Sequence, residues 1–300
     1  IMNIGLVIPS SMMISGNTSG SIRQAVSYQN ALISRGHKCE FINKSDGIYN
    51  YDYLLLFQHS IDYYHLIERA RLKKKGIKII FLPIYDPHSF AGLRKKIIYR
   101  LPTEKINLFS SPRIMRISCD QSERVWVRSK WEEYALKATG TKTPIEIVPL
   151  AIPIAINKKL VKIKKDIDFI FVGHLDDPRK NIERLIIAIS KISNKLNLVG
   201  RCSEEKLKKL NILGKNLGVK IIYHGKVGDE DLKKLYARSK VLCLPSLFEG
   251  VGLVALEALC YGTKIAITNI GGSRDYFSNN AFFIEKPNKN RQHSRGFKFS

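Results

Sequence analysis

The stretch Pro245-Ser-Leu-Phe-Glu-Gly-Val-Gly-Leu-Val-Ala-Leu-Glu-Ala-Leu-Cys-Tyr-Gly262 decides how the rest of the chain is read. The apolar run before it, Val241-Leu-Cys-Leu244, has the length and composition of a buried strand, closed by Pro245. Gly250 and Gly252 permit a sharp turn beside Glu249. Strong helix formers follow from Leu253 until Gly262 supplies a stop. Amides that open a helix lack intrahelical acceptors, and the dipole there favours negative charge. The pattern therefore predicts a phosphate beside Gly252, Leu253 and Val254. Glu249 and Glu257 flank that position, where carboxylates suit a ligand whose hydroxyls donate to them, as those of a sugar or a ribose do. The plainer reading is a core helix with two solvated glutamates, and spacing alone does not separate the two.

Three hundred residues predict about two domains, and an apolar fraction of 44% is enough for ordinary cores. Fifty Lys and Arg stand against 26 Asp and Glu, a net charge of +24. That balance favours anionic contacts such as nucleotides or an acidic membrane surface, although a lysine-rich coding bias gives the same excess. Nucleic acid is not the expected partner. The cysteines, Cys39, Cys119, Cys202, Cys243 and Cys260, form no C-x-x-C pair and read as free thiols of a reducing, cytoplasmic compartment. No apolar run reaches the ~18 residues of a membrane span. The N-terminal segment lacks a basic region and reads as a first strand rather than a leader.

In chain order, Ile4-Gly-Leu-Val-Ile8 predicts a strand, and residues 10–21 a polar loop containing Gly16 and Gly20. A helix follows with Ile22, Ala25, Val26, Gln29 and Leu32 on a helical period, stopped by Gly36. No G-x-G-x-x-G occurs there, which weakens a dinucleotide reading. Strands at Cys39-Glu-Phe-Ile42, Tyr53-Leu-Leu-Leu-Phe57 and Ile77-Lys-Ile-Ile-Phe-Leu82 alternate with helices, the pattern of an open parallel sheet covered on both faces. Ligands in such sheets sit beyond the strand carboxyl ends, where Gln58-His59 and Tyr85-Asp86-Pro87-His88 fall. Residues 89–107 are basic and amphipathic, suited to an anionic membrane surface or to a solvated face. The alternation restarts with Asp168-Phe-Ile-Phe-Val-Gly173, and Asp229-Glu-Asp231 opens a helix, so capping and dipole complementarity explain those acids better than a metal does.

The signature stretch resembles that of the large retaining glycosyltransferase family of the GT-B fold, glycosyl transferases group 1. Its mark is two glutamates eight positions apart around a glycine loop, here Glu249 and Glu257. Further matches run collinearly. His174-Leu-Asp-Asp-Pro-Arg-Lys-Asn181 resembles the family's diphosphate-binding block, Gly225-Lys-Val-Gly its base-holding loop and Gly271-Gly-Ser-Arg-Asp275 its Gly-Gly turn. The resemblance implies an α/β protein of two Rossmann-like domains with parallel sheets facing across a cleft. The expected division is an acceptor domain over residues 1–150, a linker over 151–165, a nucleotide-sugar domain over 166–287, shortened or divergent at its end, and a basic tail over 288–300.

The resemblance also implies an activity: transfer of a sugar from a nucleotide-diphosphate sugar to an acceptor hydroxyl with retention, without metal or other cofactor. The acceptor class is a glycan, a lipid-linked glycan or a protein, and the enzyme is cytoplasmic or peripheral on a membrane. It assigns the donor diphosphate to Lys180, Arg179 and the amides of Gly250, Gly252, Leu253 and Val254, the base to Val227, the ribose to Glu257 and the sugar to Glu249. Asp86 and His88 resemble, in unusual order, a pair that touches the transferred sugar or the acceptor. The loop bearing Gly16 and Gly20 corresponds in placement to one that reaches the phosphates. His174 stands where the family carries arginine, and a histidine is only partly protonated near neutrality. Two alternatives stay open: a catalytically inactive protein of this fold that binds a membrane or nucleic acid, and a sugar-nucleotide epimerase.

Overall fold

A computed structural model of the chain describes residues 1–9, 20–42, 47–58, 60, 62–73, 76–84, 111–150, 158–247 and 249–285. The chain divides into two compact units, Ile1–Pro153 and Ile154–Ser300.

The first unit is a six-stranded sheet ordered β2-β1-β3-β4-β5-β6, every adjacent pair parallel. Its strands are β1 (Asn3–Val7), β2 (Lys38–Phe41), β3 (Tyr53–Phe57), β4 (Lys78–Leu82), β5 (Arg124–Val127) and β6 (Ile145–Ile147). Its helices are α1 (Gly20–Ser34), α2 (Asp62–Lys73), α3 (Ser111–Asp120) and α4 (Lys130–Lys137). The apolar runs of β3 and β4 have no polar alternation because both faces are covered. Leu54 and Leu56 pack with Tyr63, Ile67 and Ala70 of α2. Their neighbours Leu55 and Phe57 pack with Ala25 and Tyr28 of α1. The phenol of Tyr63 donates to the carbonyls of Val7 (3.2 Å) and Phe57 (2.5 Å), so α2 is pinned to the carboxyl ends of two strands.

One periodicity needs correcting. Of the expected stripe of α1, Ala25 is buried and Leu32 packs against the core, but Val26 and Gln29 are only half-buried, and Gln24, Ser27 and Tyr28 are buried instead. Tyr28 reaches farther than any aliphatic on that helix, and its hydroxyl donates to the carbonyl of Val148 at 3.1 Å. In α4, Ser129 caps the helix by accepting from the amide of Glu132, and the Glu132 carboxylate reaches back to the amide of Arg128 at 2.7 Å. The first bond satisfies an amide that the helix leaves open, and the second fixes the residue that precedes the cap.

The second unit is a parallel sheet ordered β12-β11-β10-β7-β8-β9. Its strands are β7 (Ile167–Val172), β8 (Lys195–Val199), β9 (Lys220–Tyr223), β10 (Ser239–Leu244), β11 (Lys264–Thr268) and β12 (Ala281–Ile284). Its helices are α5 (Lys158–Val161), α6 (Ile182–Ile189), α7 (Glu204–Asn216), α8 (Asp229–Arg238), α9 (Leu253–Leu259) and α10 (Ser273–Phe277). Both units are thus Rossmann-like, each with one all-parallel sheet.

The run expected as a linker is in part structured. It contains α5, and the ammonium of Lys165 donates to the carbonyls of Ala237 (3.1 Å), Ser239 (2.9 Å) and Tyr261 (3.2 Å). A cation at the ends of α8 and α9 meets carbonyls that have no helical partner, while burial lowers the lysine's pKa. Cys39, Cys119 and Cys243 are buried and all five cysteines are free; burial pushes the Cys243 thiol up to about 12. Among the described residues no helix is long and apolar enough to cross a membrane.

Candidate active site

In the second sheet the strand order reverses between β7 and β10: the chain leaves β7 toward β8 and β9, and leaves β10 toward β11 and β12. Such a switch point opens a crevice beyond the strand carboxyl ends. Two loops occupy it, one over residues 173–181 after β7 and one over 245–252 after β10.

The first loop is held close to its neighbours. Gly200, at the end of β8, has φ +134, and a Cβ there would stand 1.8 Å from the carbonyl oxygen of Gly173. Only glycine permits that approach. The turn Pro178–Lys180 is capped by Asp177, whose carboxylate accepts from the amide of Arg179 at 2.9 Å. Asn181 then takes the left-handed conformation (φ 58) and leads into α6. Its side-chain amide donates to the carbonyl of Pro245 at 3.2 Å, and the amide of Leu247 donates to the carbonyl of Arg179 at 2.7 Å. The two loops are stitched together by these bonds.

Above the stitch, the ammonium of Lys180 lies 2.9 Å from Glu249 Oε2, their side chains 20% and 17% exposed. The family resemblance assigns these residues different tasks; the structure brings them into one ion pair. The Glu249 loop is backed by the Gly-Gly turn: the amide of Gly272 donates to the carbonyl of Gly250 at 2.9 Å. Gly271 has φ +64, and a Cβ on it would stand 2.1 Å from the carbonyl oxygen of Glu249. Gly271→Ala is therefore expected to lower stability by about 1–3 kcal/mol through backbone strain and clash. A urea melt followed by circular dichroism checks this, and an unchanged midpoint refutes the assignment. Gly252, the residue before α9, has φ 82 and is likewise in glycine's territory.

Helix α9 runs for 7 residues, with Leu253 and Val254 half-buried at its start. So short a helix has a weak dipole, and Lys180 is the stronger positive element near the glycine loop. Glu257 is half-buried, and one of its oxygens accepts from the phenol of Tyr236 at 3.1 Å. Val227 packs against the core of the second unit. Its loop is tied to the neighbouring strand end, the amide of Gly200 donating to the carbonyl of Gly225 at 2.8 Å.

The remaining expected residues are distributed unevenly. His174 is exposed, with Nε2 3.6 Å from Asp176 Oδ2. Hydrogen bonds from Ser203, its hydroxyl at 2.5 Å, hold the Asp176 carboxyl below the usual carboxylate range. Arg179 forks onto Asp177, with Nη2–Oδ2 at 2.7 Å and Nε–Oδ1 at 3.1 Å, and these bonds lower the pKa of Asp177. The cation expected to reinforce Lys180 is thus already engaged by a carboxylate. Asp229 and Asp231 open α8 behind Gly228, without a side-chain cap. Asp231 pairs with Lys234 at 2.9 Å and Glu230 with Lys233 at 2.6 Å, so dipole and side-chain pairing, and not capping, account for that acidic turn. Among the described residues no group of three or more His, Cys, Asp or Glu is placed to hold a metal. Gly20 is exposed at the start of α1; Gly16, His59, Asp86, His88 and the basic run 89–107 lie outside the described residues.

Sequence reasoning missed Asn181 and Tyr236. Asn181 had a signal, an asparagine directly before an apolar helical period, since asparagine tolerates the left-handed conformation. Tyr236 had none, because it fits the apolar stripe of α8 and only its hydroxyl partner distinguishes it.

Residues 154–296 match the family described as glycosyl transferases group 1. The chain is 40% identical over 107 residues to an uncharacterized glycosyltransferase of Methanocaldococcus jannaschii, which covers 34% of this chain and 27% of that protein. It spans 56% and 58% of two other curated relatives, so about half of their length. Among solved structures, sucrose-phosphate synthase from Thermosynechococcus elongatus superposes with a TM-score of 0.68 at 16% identity, covering 96% of this chain and 87% of that one. Anabaena HepE in complex with UDP-glucose superposes with a TM-score of 0.66 at 15% identity, covering 95% and 86%. At such identities the likeness is one of fold, the two-unit GT-B architecture.

Proposed function

We propose, for a chain whose residues 154–296 match the family described as glycosyl transferases group 1, that it moves a sugar from a nucleoside diphosphate sugar to an acceptor hydroxyl with retention at the anomeric carbon. The observation that carries this reading is the Lys180–Glu249 pair, 2.9 Å apart at the switch point of the second sheet, with Glu257 on the helix that follows. Lys180 suits an anionic diphosphate and Glu249 suits sugar hydroxyls, so one donor gives each group a new partner in place of the other. In the reaction the bond between anomeric carbon and phosphate oxygen breaks, the acceptor oxygen forms the new bond, and its proton passes to the departing phosphate oxygen. Lys180 stabilises the charge that gathers on that diphosphate. Glu249 orients the sugar, and Asp86 and His88 are assigned to the reacting end. The acceptor is a glycan, a lipid-linked glycan or a protein, and an anionic membrane surface is a further proposed partner.

The test is a thermal-shift panel of nucleotide sugars in excess chelator. A donor at one hundred times its Kd stabilises the native state by about 2.7 kcal/mol, and the expected result is a shift for at least one donor. No shift from any donor, or a shift only when Mg²⁺ or Mn²⁺ is restored, overturns the reading. One observation favours an inactive binding protein instead: His174 replaces the expected arginine, and Arg179 is engaged by Asp177. Donor binding without any transfer or donor hydrolysis would establish that second reading.

A further inference from the structure

Tyr236 belongs to none of the loops of the site, yet it touches one of the site's carboxylates. It lies on α8, is 1% exposed, and its hydroxyl donates to Glu257 Oε2 at 3.1 Å. A buried phenol needs a hydrogen-bond partner, and a carboxylate is a strong one. The ring is stacked on Tyr261, centroids 6.4 Å apart and planes at 19°. The carbonyl of Tyr236 accepts from the hydroxyl of Thr263 at 2.6 Å, and Lys165 joins the carbonyls of Ala237, Ser239 and Tyr261. Tyr236 is therefore fixed by ring contact, main chain and a shared cation. What it holds is Glu257, half-buried on a flexible three-torsion side chain, and ordering such a side chain on binding costs affinity.

We infer that Tyr236 is a positioning residue that sets the Glu257 carboxylate in advance for the hydroxyls of a ribose, and so makes the site select ribonucleoside diphosphates over analogues lacking those hydroxyls. The inference rests on the proposed reading that Glu257 meets the ribose. A site built around an oriented acceptor discriminates against a ligand that leaves the acceptor unpaired. Tyr236 thus acts on selectivity through Glu257, without contact to the nucleotide.

The experiment is calorimetry with the tightest of UDP, GDP, ADP and CDP and with the 2′,3′-dideoxy form of the same nucleotide. Wild type, Tyr236→Phe, Glu257→Ala and the double variant are compared, with folding checked by circular dichroism. Tyr236→Phe is expected to weaken the ribonucleotide by about 2- to 10-fold, the size of one hydrogen bond, and to leave the dideoxynucleotide unchanged. Glu257→Ala is expected to abolish the preference, and adding Tyr236→Phe to it to do nothing further. Equal weakening of both nucleotides by Tyr236→Phe makes the tyrosine merely structural and overturns the inference, as does no change in either. A preference that survives Glu257→Ala refutes the ribose reading itself, and the inference with it. If Tyr236→Phe does not fold alone, it is made in a Glu257→Gln background, which removes the unpaired charge; the same preference as Glu257→Gln alone then overturns the inference.

Discussion

Replacing Lys180 with alanine is expected to slow sugar transfer by about 10²- to 10³-fold, the usual loss when one group facing a charge that develops in the transition state is removed. The charge on the departing diphosphate grows as the glycosidic bond breaks, so the ammonium binds the transition state more strongly than the bound donor. The loss should fall chiefly on kcat. The structure sharpens the reason for the position: Lys180 is held at the switch point by the capped turn of residues 177–180 and by two bonds that stitch its loop to the one after β10. Steady-state kinetics of nucleotide release for wild type and Lys180→Ala measures the effect. A kcat within threefold of wild type sinks the assignment.

The two glutamates should separate in binding. Glu257→Ala is expected to weaken nucleotide and nucleotide sugar alike by about 1.5–3 kcal/mol, or roughly 10- to 150-fold, for a lost charged hydrogen bond. Glu249→Ala should weaken only the nucleotide sugar. The ion pair adds an expectation that the sequence did not offer. Because Lys180 is bonded to Glu249 before any ligand arrives, Glu249→Ala releases the lysine to the phosphates, so the bare nucleotide should bind at least as tightly as to wild type. Calorimetry on both variants decides this. Equal losses for the two ligands in both variants defeat the division of labour.

The strands were legible because parallel sheets covered on both faces are written as short apolar runs. Leu54–Phe57 and Leu242–Leu244 need no context beyond their own residues and the breakers around them. The glycine turn and the start of α9 were legible for a similar reason, both being local, whereas the roles given to Glu249 and Glu257 came from the family resemblance. The stripe of α1 was read less well, since its period fitted Val26 while the core selected Tyr28, whose length lets it reach Val148 from the helix.

The sequence by itself thus determined two Rossmann-like units, the signature after β10 and the candidacy of Lys180, Glu249 and Glu257, each from residues within a few turns of one another. Only the tertiary structure decided that Lys180 pairs with Glu249, that Asn181 ties its loop to Pro245, that Gly271 abuts the Glu249 carbonyl and that Tyr236 holds Glu257. It also showed that Lys165, expected in a linker, closes the ends of two helices. The physical reason is strand order. Pairing β7 with β10 brings together loops 69 residues apart at Lys180 and Glu249, and neither hydropathy nor turn chemistry encodes which strands become neighbours. A hydrogen bond between distant side chains has no periodicity, so it leaves no trace in the sequence until the sheet places its two ends within reach.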